Sequence, residues 1–199
     1  MTGLREKRKQ ETRKAIQDAA VKLFTEKSFE KTSIEDIAKE AGIGKTTVYG
    51  YFSTKEEIFI NYCDDELDQA FANLQSNDCS EKRLLDRLVD FFMLKFTFIT
   101  KNREFGRQLL REMVFPSTIN EKAKAHDQRY FDRLENLFSC AQKNREIPMD
   151  QDLFFLSVHF FSLYLGVLAG WYTGYLNNLE EAEEGMRKLF NQALEGVAL

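Results

Sequence analysis

Residues 32–55, TSIEDIAKEAGIGKTTVYGYFSTK, have the pattern of two short helices joined by a tight turn. Thr32, followed three residues later by Glu35, predicts a capping box at the start of the first helix. Gly42 stands just past the last apolar residue, where a left-handed C-cap conformation favours glycine. The apolar residues of this first helix recur at helical spacing: Ile34, Ile37, Ala38 and Ala41. The segment therefore predicts a helical hairpin whose second helix begins near Lys45.

The second helix of this hairpin has an unusual surface. Val48 and Phe52 are spaced to face a core, which leaves polar and tyrosine side chains exposed: Lys45, Thr46, Thr47, Tyr49 and Tyr51. An ordinary surface helix more often carries paired Glu and Lys residues. Hydroxyl groups, a lysine and tyrosines suit a helix that enters the major groove of DNA, as the second helix of a helix-turn-helix does. The alternative is an ordinary helical hairpin with a solvated second helix.

The segment TRKAIQDAAVKLFTEKSFEKTSIEDIAKEAGIGKTTVYGYFSTKEEIF resembles the DNA-binding domain of the TetR family of transcriptional regulators. The resemblance covers roughly residues 9–60, and its AG-I-x-K-x-T-x-Y-x-YF-x-x-K core is specific. It implies an all-α protein of about nine helices, with an N-terminal three-helix DNA-binding domain on a C-terminal helical bundle. It also implies a repressor that a small effector releases from its operator.

The resemblance implies roles for single residues of the hairpin. Tyr49 corresponds to the family's phosphate-contacting tyrosine and Lys55 to its phosphate-binding lysine. Tyr51 corresponds to a position that contacts the DNA backbone. The positions that approach base edges are Lys45, Thr46 and Thr47. From its chemistry alone, Ser33, with the amides at the start of the first hairpin helix, is expected to help hold a phosphate.

Three residues depart from the family pattern. Ser28 stands where a glycine is usual after the first helix, so that turn is expected to be strained or differently capped. Gly44 replaces a serine-like cap of the recognition helix, yet it lies beside the expected DNA contacts. Gly50 replaces a bulky residue, which removes one contact and lowers helix propensity by up to about 1 kcal/mol.

Charge is distributed unevenly along the chain. Its formal net charge is −4, but residues 1–55 contain 12 Lys/Arg against 8 Asp/Glu, and the remainder contains 16 against 24. Basic residues cluster before and within the start of the first helix: Arg5, Lys7, Arg8, Lys9, Arg13 and Lys14. This segment is either a frayed, solvated tail or an arm that lies along phosphates or in the minor groove.

The rest of the chain has helical periodicity throughout. The predicted helices span residues 11–26, 55–74, 81–100, 103–114, 119–144, 148–177 and 180 to the C-terminus, in addition to the hairpin. Residues 75–80, QSNDCS, are a polar loop. We expect two domains, 1–54 for DNA binding and 55–199 for ligand binding and dimerisation, with the fourth helix running from one into the other.

Residues 153–176 contain no Asp, Glu, Lys or Arg, so by length this segment could span a membrane. Acidic flanks and interrupting polar residues oppose insertion, and we expect no membrane partner. A helix that is apolar all round can instead be buried, and a second subunit would cover it. We expect a two-fold homodimer in which the last two helices form a four-helix bundle through Gly166, Gly170, Gly174, Met186, Leu189, Phe190 and Leu194. The alternative is that the glycines pack internally.

The body is rich in phenylalanine, with 15 of 18 after Lys55. A largely apolar or aromatic effector is expected to contact Phe92, Phe96, Ile99, Leu109, Met113, Phe131, Leu134 and Phe155, with His159 and Ser162 as polar anchors. Plain core packing remains the alternative for any one of these residues. The sequence shows no catalytic grouping and no metal-ligand spacing, so we expect no enzyme activity, no metal and no cofactor.

Two further expectations concern location and competing functions. The sequence begins without a secretory signal, and three widely spaced cysteines suggest ordinary thiols, so we expect a cytoplasmic protein. The expected partners are double-stranded DNA in the form of a palindromic operator, the small effector and a second copy of the chain. The competing interpretations are a helical, DNA-localised interaction protein without an inducer, and a membrane-associated protein anchored by residues 153–176.

Overall fold

The computed structural model of the protein describes residues 2–74, 82–115 and 121–196. All regular secondary structure within these ranges is helical, which confirms the predicted fold class. The helices are α1 (Thr2–Lys27), α2 (Ile34–Glu40), α3 (Lys45–Tyr51), α4 (Lys55–Leu74), α5 (Leu84–Thr100), α6 (Arg103–Val114), α7 (Glu121–Lys143), α8 (Leu153–Thr173) and α9 (Leu179–Glu195).

Several helix ends lie within three residues of the predicted bounds, but α8 spans Leu153–Thr173 where residues 148–177 were predicted. α4 and α6 have the predicted bounds, whereas α1 begins at Thr2 and not near residue 11. The basic segment is therefore a continuation of α1 and not an irregular tail. The predicted polar loop at residues 75–80 lies outside the described residues.

Two compact units make up the chain, residues 1–66 with 99–123 and residues 67–98 with 124–199. The first unit contains α1–α3, the first half of α4 and α6, and the second contains α5, α7, α8 and α9. This division places α6 with the helix-turn-helix, which the predicted boundary at residue 54 did not anticipate. The domain assignment itself stays a prediction.

The core of the first unit forms where α1–α3 and α4 bring their apolar stripes together. Burying the larger of these side chains, the Val, Leu, Ile and Phe residues, contributes about 1.5–3 kcal/mol each. The buried set is Ile16, Ala19, Ala20, Leu23, Phe24, Ile37, Ala38, Val48, Phe52, Ile58 and Phe59. α6 joins this core through Phe105, whose ring lies 4.7 Å from that of Phe59. The recognition helix is thus held by a core that its own Val48 enters.

The second unit has an aromatic core. Phe92 on α5 packs 5.0 Å from Tyr164 on α8 and 5.1 Å from Phe190 on α9, ring centre to ring centre. An ion pair between Arg187 and Asp86, 2.6 Å long, joins α9 to α5 at the surface. The hydrogen bond from Arg187 lowers the pKa of Asp86. These contacts fix α8 and α9 side by side against α5.

Candidate nucleic-acid interface and effector region

The turn between α2 and α3 sets the angle at which α3 is presented. Gly42 has φ +67°, which is the left-handed conformation that favours glycine. Its N–H donates to the Lys39 carbonyl (3.2 Å), and the Ile43 N–H donates to the Ala38 carbonyl (3.0 Å). This pair of bonds is the Schellman motif, so the prediction of a glycine C-cap is confirmed.

The start of α2 differs from the prediction by one residue. Ser33, and not Thr32, is the N-cap, and its capping partner is Asp36, not Glu35. Thr32 is buried and its hydroxyl donates to the Ser28 carbonyl (2.8 Å), so it cannot cap α2. The predicted capping box was wrong in register because two overlapping pairs in TSIED satisfy the same spacing rule.

The capping box also engages Ser33, which we had expected to hold a phosphate. The Asp36 carboxylate accepts from the Ser33 N–H (2.9 Å) and hydroxyl (2.7 Å), and Lys27 lies 2.9 Å from the same oxygen. Lys27, followed by the Ser33 amide, holds the pKa of Asp36 well below its usual range. In this structure the Ser33 N–H and hydroxyl therefore both donate to the carboxylate of Asp36.

α3 presents the predicted surface. Lys45, Thr46, Thr47 and Tyr49 are exposed, Tyr51 is half-buried, and Val48 and Phe52 are buried. Tyr49 has half of its surface open to solvent, so its hydroxyl can reach a phosphate. Gly44 is the N-cap of α3 and supplies no side-chain hydrogen bond. The exposed face of α3 is the part of the site that sequence alone located.

Two of the basic residues at this interface already have partners. Lys45 Nζ lies 3.3 Å from Glu35 on α2, and both side chains are largely exposed. Such a surface pair contributes roughly 0–1 kcal/mol, so a DNA base or phosphate can displace Glu35 easily.

Lys55 has a structural role, whereas the resemblance to the TetR family implied only a phosphate-binding role for it. Its Nζ donates to the carbonyls of Phe29 (2.8 Å), Thr32 (3.2 Å) and Glu30 (3.4 Å). It also lies 4.5 Å from the centre of the Phe29 ring. Lys55 therefore holds the loop between α1 and α2, which positions the whole hairpin.

The three departures from the family pattern have distinct outcomes. Ser28 has φ +73°, so the turn after α1 is strained, as expected for a non-glycine residue at this position. A Cβ on Gly44 would make only ordinary contacts, 3.7 Å from the Thr46 and Thr47 hydroxyls. A Cβ on Gly50 would meet nothing within 4 Å. Nothing in the packing of the described chain requires glycine at position 50.

A groove of about 1140 Å³ lies beside the exposed end of α3. One wall is the N-terminal part of α1, and the other is the C-terminal end of α3. Its lining residues are Gly3, Arg5, Glu6, Arg8, Lys9, Thr12, Gly50 and Tyr51. Sequence reasoning noticed the basic cluster but could not show that α1 brings part of it next to the recognition helix.

The residues proposed to contact an effector do not form one surface. Buried members of the second unit are Phe92, Phe96 and Leu134, with Phe131 half-buried, and Ile99 and Leu109 are buried in the first unit. The Met113 side chain lies outside the described residues. Phe155 is 69% exposed, and His159 and Ser162 are exposed on the same side of α8. These three therefore face away from the aromatic core, and their prediction as wall and anchors of an internal pocket was wrong for this structure.

The aromatic core of the second unit contains a polar cluster that the sequence did not lead us to predict. Lys95 on α5 is 2% exposed, and its Nζ lies 3.6 Å from the centre of the Tyr130 ring on α7. The hydroxyls of Tyr130 and Tyr164 are buried without a hydrogen-bond partner among the described residues, which costs about 1–3 kcal/mol each. Burial raises the pKa of both tyrosines well above 10. The feature of the sequence that could have indicated this cluster is Lys95, the one charged residue in the apolar segment FFMLKF, residues 91–96.

The proposed dimer residues also divide into two groups. Met186 and Phe190 are fully buried within their own chain, so their assignment to an interface was wrong. Gly170 approaches Leu176, and Gly174 ends α8 with φ +84°, so these glycines have explanations within the chain. Gly166 is exposed and a Cβ there would meet nothing within 4 Å. Leu189 and Leu194 are half-buried.

One side of α8 is open in the single chain. Its exposed residues recur with spacings of three and four, and we call this set the α8 outer face: Phe155, His159, Ser162, Gly166, Ala169 and Thr173. α8 is the one helix of the described ranges with the length and apolar composition to cross a bilayer, and a third of its most apolar window is buried. A core helix of a soluble protein satisfies the same criteria.

Two further observations concern possible metal ligands and the cysteines. No group of three or more His, Cys, Asp or Glu residues suited to a metal occurs within residues 2–74, 82–115 and 121–196. Cys63 is a buried free thiol, whereas Cys140 is disulfide-bonded, so the expectation of three ordinary thiols was wrong for Cys140.

Known proteins are similar to this chain in the sequence of residues 16–62 and in the fold. Residues 16–62 match the family model described as "Bacterial regulatory proteins, tetR family". A relative from Haemophilus influenzae, an uncharacterized HTH-type transcriptional regulator, is 33% identical over 135 residues, which cover 66% of this chain and 64% of the relative. The matched part of the chain thus spans just under two thirds of that relative's length.

Solved structures extend the fold similarity over nearly the whole chain. A putative TetR-family transcriptional regulator from Rhodococcus sp. has a TM-score of 0.71 at 17% identity, covering 96% of this chain and 100% of its own. The transcriptional regulator FadR from Bacillus subtilis, in complex with stearoyl-CoA, has a TM-score of 0.67 at 18% identity, with 88% and 95% covered. FadR from Thermus thermophilus, in complex with lauroyl-CoA, has a TM-score of 0.66 at 21% identity, with 89% and 93% covered.

α2, the Gly42 turn and the exposed α3 form a helix-turn-helix, the motif whose second helix enters the major groove in DNA-binding proteins. Residues 16–62 match the tetR family of bacterial regulatory proteins, and the fold of the chain is similar to that of a putative TetR-family regulator of known structure.

Proposed function

We propose that the protein is a ligand-responsive repressor that binds a palindromic operator as a homodimer. The observation that carries the DNA-binding part is the exposed face of α3, fixed by the Gly42 turn and anchored by buried Val48. A helix in this arrangement reads the major groove with side chains near its N-terminus. In this proposal Lys45 and Thr47 contact base edges and Tyr49 contacts a phosphate, which their exposure on α3 supports.

Substitutions on α3 separate base contacts from phosphate contacts. Tyr49→Phe removes one hydroxyl, so binding should weaken about equally on all sequences. Lys45→Ala should also relax the preference at one base pair, by about 1–3 kcal/mol. Selection of bound fragments from random DNA, followed by gel shifts, measures both effects. Unchanged binding by Tyr49→Phe would remove the proposed role of its hydroxyl.

The homodimer is supported by the α8 outer face. The small side chains at its centre, Ser162, Gly166 and Ala169, would let a second copy approach closely. A two-fold dimer would also place two recognition helices on half-sites about 34–36 Å apart, or a multiple of that distance.

Gly166→Leu tests the dimer because it adds bulk at the centre of the α8 outer face. Glu184→Leu is a matched control, since Glu184 is exposed on α9 and paired with Lys188. Sedimentation at micromolar concentration should show a dimer for wild type and Glu184→Leu, and a monomer for Gly166→Leu. A monomeric wild type contradicts the proposal.

The effector is proposed to be largely apolar or aromatic, because the second unit has an aromatic core. The unpartnered hydroxyls of Tyr130 and Tyr164 can donate to a hydrogen-bond acceptor on such a molecule. They replace His159 and Ser162 as the candidate polar anchors. An effector acts only if it binds the operator-bound and released states unequally, by a few kcal/mol for effective release.

Lauroyl-CoA and stearoyl-CoA are the first effectors to test, because two structural neighbours were solved with them. The measurement is dissociation of the wild-type operator complex on titration, with free coenzyme A as the control. A ligand that binds tightly but leaves operator affinity unchanged is not the inducer. If the protein selects an operator that no apolar or aromatic ligand releases, the alternative of a DNA-localised interaction protein is favoured.

We also propose that the protein has no enzyme activity, uses no cofactor and works in the cytoplasm without a membrane partner. The regulator family and the open face of α8, which a second copy can cover, support this. Recovery of the full chain in the soluble fraction without detergent tests the location.

A further inference from the structure

Three helices of the second unit meet around the ammonium group of Lys95. This lysine on α5 is 2% exposed, and its Nζ lies 3.6 Å from the centre of the Tyr130 ring on α7 and 5.4 Å from that of Phe161 on α8. Lysine is seldom buried to this degree. An ammonium group over a ring is attracted by the electrons of the ring face, and it carries three N–H donors. The core of the second unit therefore holds a positive charge among aromatic rings.

The hydroxyls of Tyr130 and Tyr164 belong to the same part of the core. The rings of Phe92 and Phe161 each lie within 6.3 Å of both tyrosine rings, centre to centre. Both hydroxyls are buried and have no hydrogen-bond partner among the described residues. Native proteins leave few buried polar groups unsatisfied, so each such group calls for an explanation. We call Lys95, Tyr130 and Tyr164 the donor cluster.

Packing of the core does not account for the polar groups of the donor cluster. Phenylalanine has nearly the shape of tyrosine without the hydroxyl, and apolar residues of similar volume often replace buried charges without loss of stability. The groups of the cluster are alike in chemistry, because an ammonium only donates and a phenol has one O–H to donate. The complement of such a set is an acceptor, and a negatively charged acceptor also matches the charge of Lys95.

A line of aromatic rings leads from the donor cluster towards the surface between α7 and α8. Phe161 is half-buried and lies 5.4 Å from Phe131, which is also half-buried. Phe131 in turn lies 6.1 Å from Phe154, whose side chain is 48% exposed. Rotation of these outer rings opens an apolar path to the cluster without unfolding either helix. Such a path admits an apolar chain or ring system.

We propose that the donor cluster binds the carboxylate group of an apolar carboxylic acid. The Lys95 ammonium and the hydroxyls of Tyr130 and Tyr164 donate to the carboxylate oxygens, and the apolar body of the acid packs against the rings of the path. A carboxylate offers about four acceptor sites on its two oxygens, which is enough for three donors.

This inference rests on the proposed ligand-responsive function and narrows the effector from a largely apolar or aromatic molecule to an organic anion. An ester or thioester of the same acid presents a neutral carbonyl to the cluster. Hydrogen bonds to a charged group are stronger than those to a neutral group. The acid should therefore be preferred over its neutral derivatives.

The test compares two acids with their methyl esters on the full-length protein. Dodecanoate represents a chain and phenylbutanoate a ring, and isothermal titration calorimetry measures the affinity of each pair. At least one acid should bind the wild type about 10- to 100-fold more tightly than its ester, because the acid gains charge-assisted hydrogen bonds.

Lys95→Met removes the charge and keeps an unbranched side chain. This variant should bind the acid about 10- to 100-fold more weakly and the ester with little change, so the preference for the acid disappears. Lys143→Met, at an exposed position in the last turn of α7, is the matched control and should keep the preference.

Tyr130→Phe and Tyr164→Phe remove the two unpaired hydroxyls. Neither variant leaves a new unsatisfied group, so both should fold, and each should weaken binding of the acid about tenfold. These variants keep the inference testable if Lys95→Met does not fold.

Equal affinity of the wild type for acid and ester overturns the inference, as does binding of neither acid. Acid binding that Lys95→Met and both tyrosine variants leave unchanged also overturns it, since the carboxylate then lies elsewhere.

Release of the operator distinguishes this inference from the proposed function. Release by the acid and not by its ester supports both. If lauroyl-CoA releases the operator from a protein that binds neither acid, the inference fails and the proposed function stands. If the acid binds with the expected preference but leaves operator affinity unchanged, the donor cluster is a binding site and its ligand is not the inducer.

Discussion

Gly50→Ala should raise the stability of the folded protein. The effect follows from the local backbone. Gly50 is helical, and alanine is favoured over glycine in a helix by about 0.5–1 kcal/mol. The added Cβ has no neighbour within 4 Å, so no steric term opposes this gain. For a chain of this size the midpoint of thermal unfolding should rise by about 2–4 °C per kcal/mol.

Gly42→Ala is the matched control, since it makes the same change at another exposed glycine of the hairpin, one with a positive φ. Its φ of +67° costs a non-glycine residue about 1–2 kcal/mol. Restricting the unfolded chain returns about 0.4–1 kcal/mol, so a net loss of about 0.5–1 kcal/mol is expected. The two substitutions should therefore have opposite signs in urea unfolding followed by circular dichroism.

A destabilised Gly50→Ala variant would show that the helical geometry at position 50 is wrong. The same sign for both substitutions would contradict the difference in backbone conformation between positions 42 and 50.

Three other substitutions test particular contacts. Lys55→Met keeps the apolar stem but loses the bonds to three carbonyls, so we expect a loss of about 2 kcal/mol in urea unfolding without DNA; no loss would leave Lys55 only its phosphate role. Ser28→Gly relieves φ +73° and should stabilise the protein by about 0.5–1 kcal/mol, and a destabilised variant would contradict the strained turn. The third substitution is Tyr130→Phe. In the wild type, burial raises the pKa of Tyr130, so this tyrosine stays neutral in the folded state when it already ionises in the unfolded state. The free energy of unfolding of the wild type should therefore fall above about pH 10, by about 1.4 kcal/mol per pH unit, until the folded tyrosine also ionises. Tyr130→Phe should remove that share of the slope; a slope equal to that of the wild type would contradict the burial of Tyr130.

The helical hairpin was predictable because its determinants are local. Gly42 is needed wherever a helix ends in a left-handed residue, and Val48 and Phe52 fall on one face by spacing alone. The same locality explains the error at the start of α2. Thr32 with Glu35 and Ser33 with Asp36 are both valid capping pairs, and only the burial of Thr32 decides between them.

Sequence by itself determined the fold class, most helix bounds and the exposed chemistry of α3, because periodicity and capping depend on residues a few positions apart. Tertiary structure decided which apolar residues serve a core and which remain open. Met186 and Phe155 look alike in a helical pattern, yet one is buried by its own chain and the other faces solvent. Packing also brought Lys55 to the carbonyls after α1 and part of the basic segment to Gly50. Contacts between residues so far apart in the chain depend on how helices pack and not on spacing along one helix.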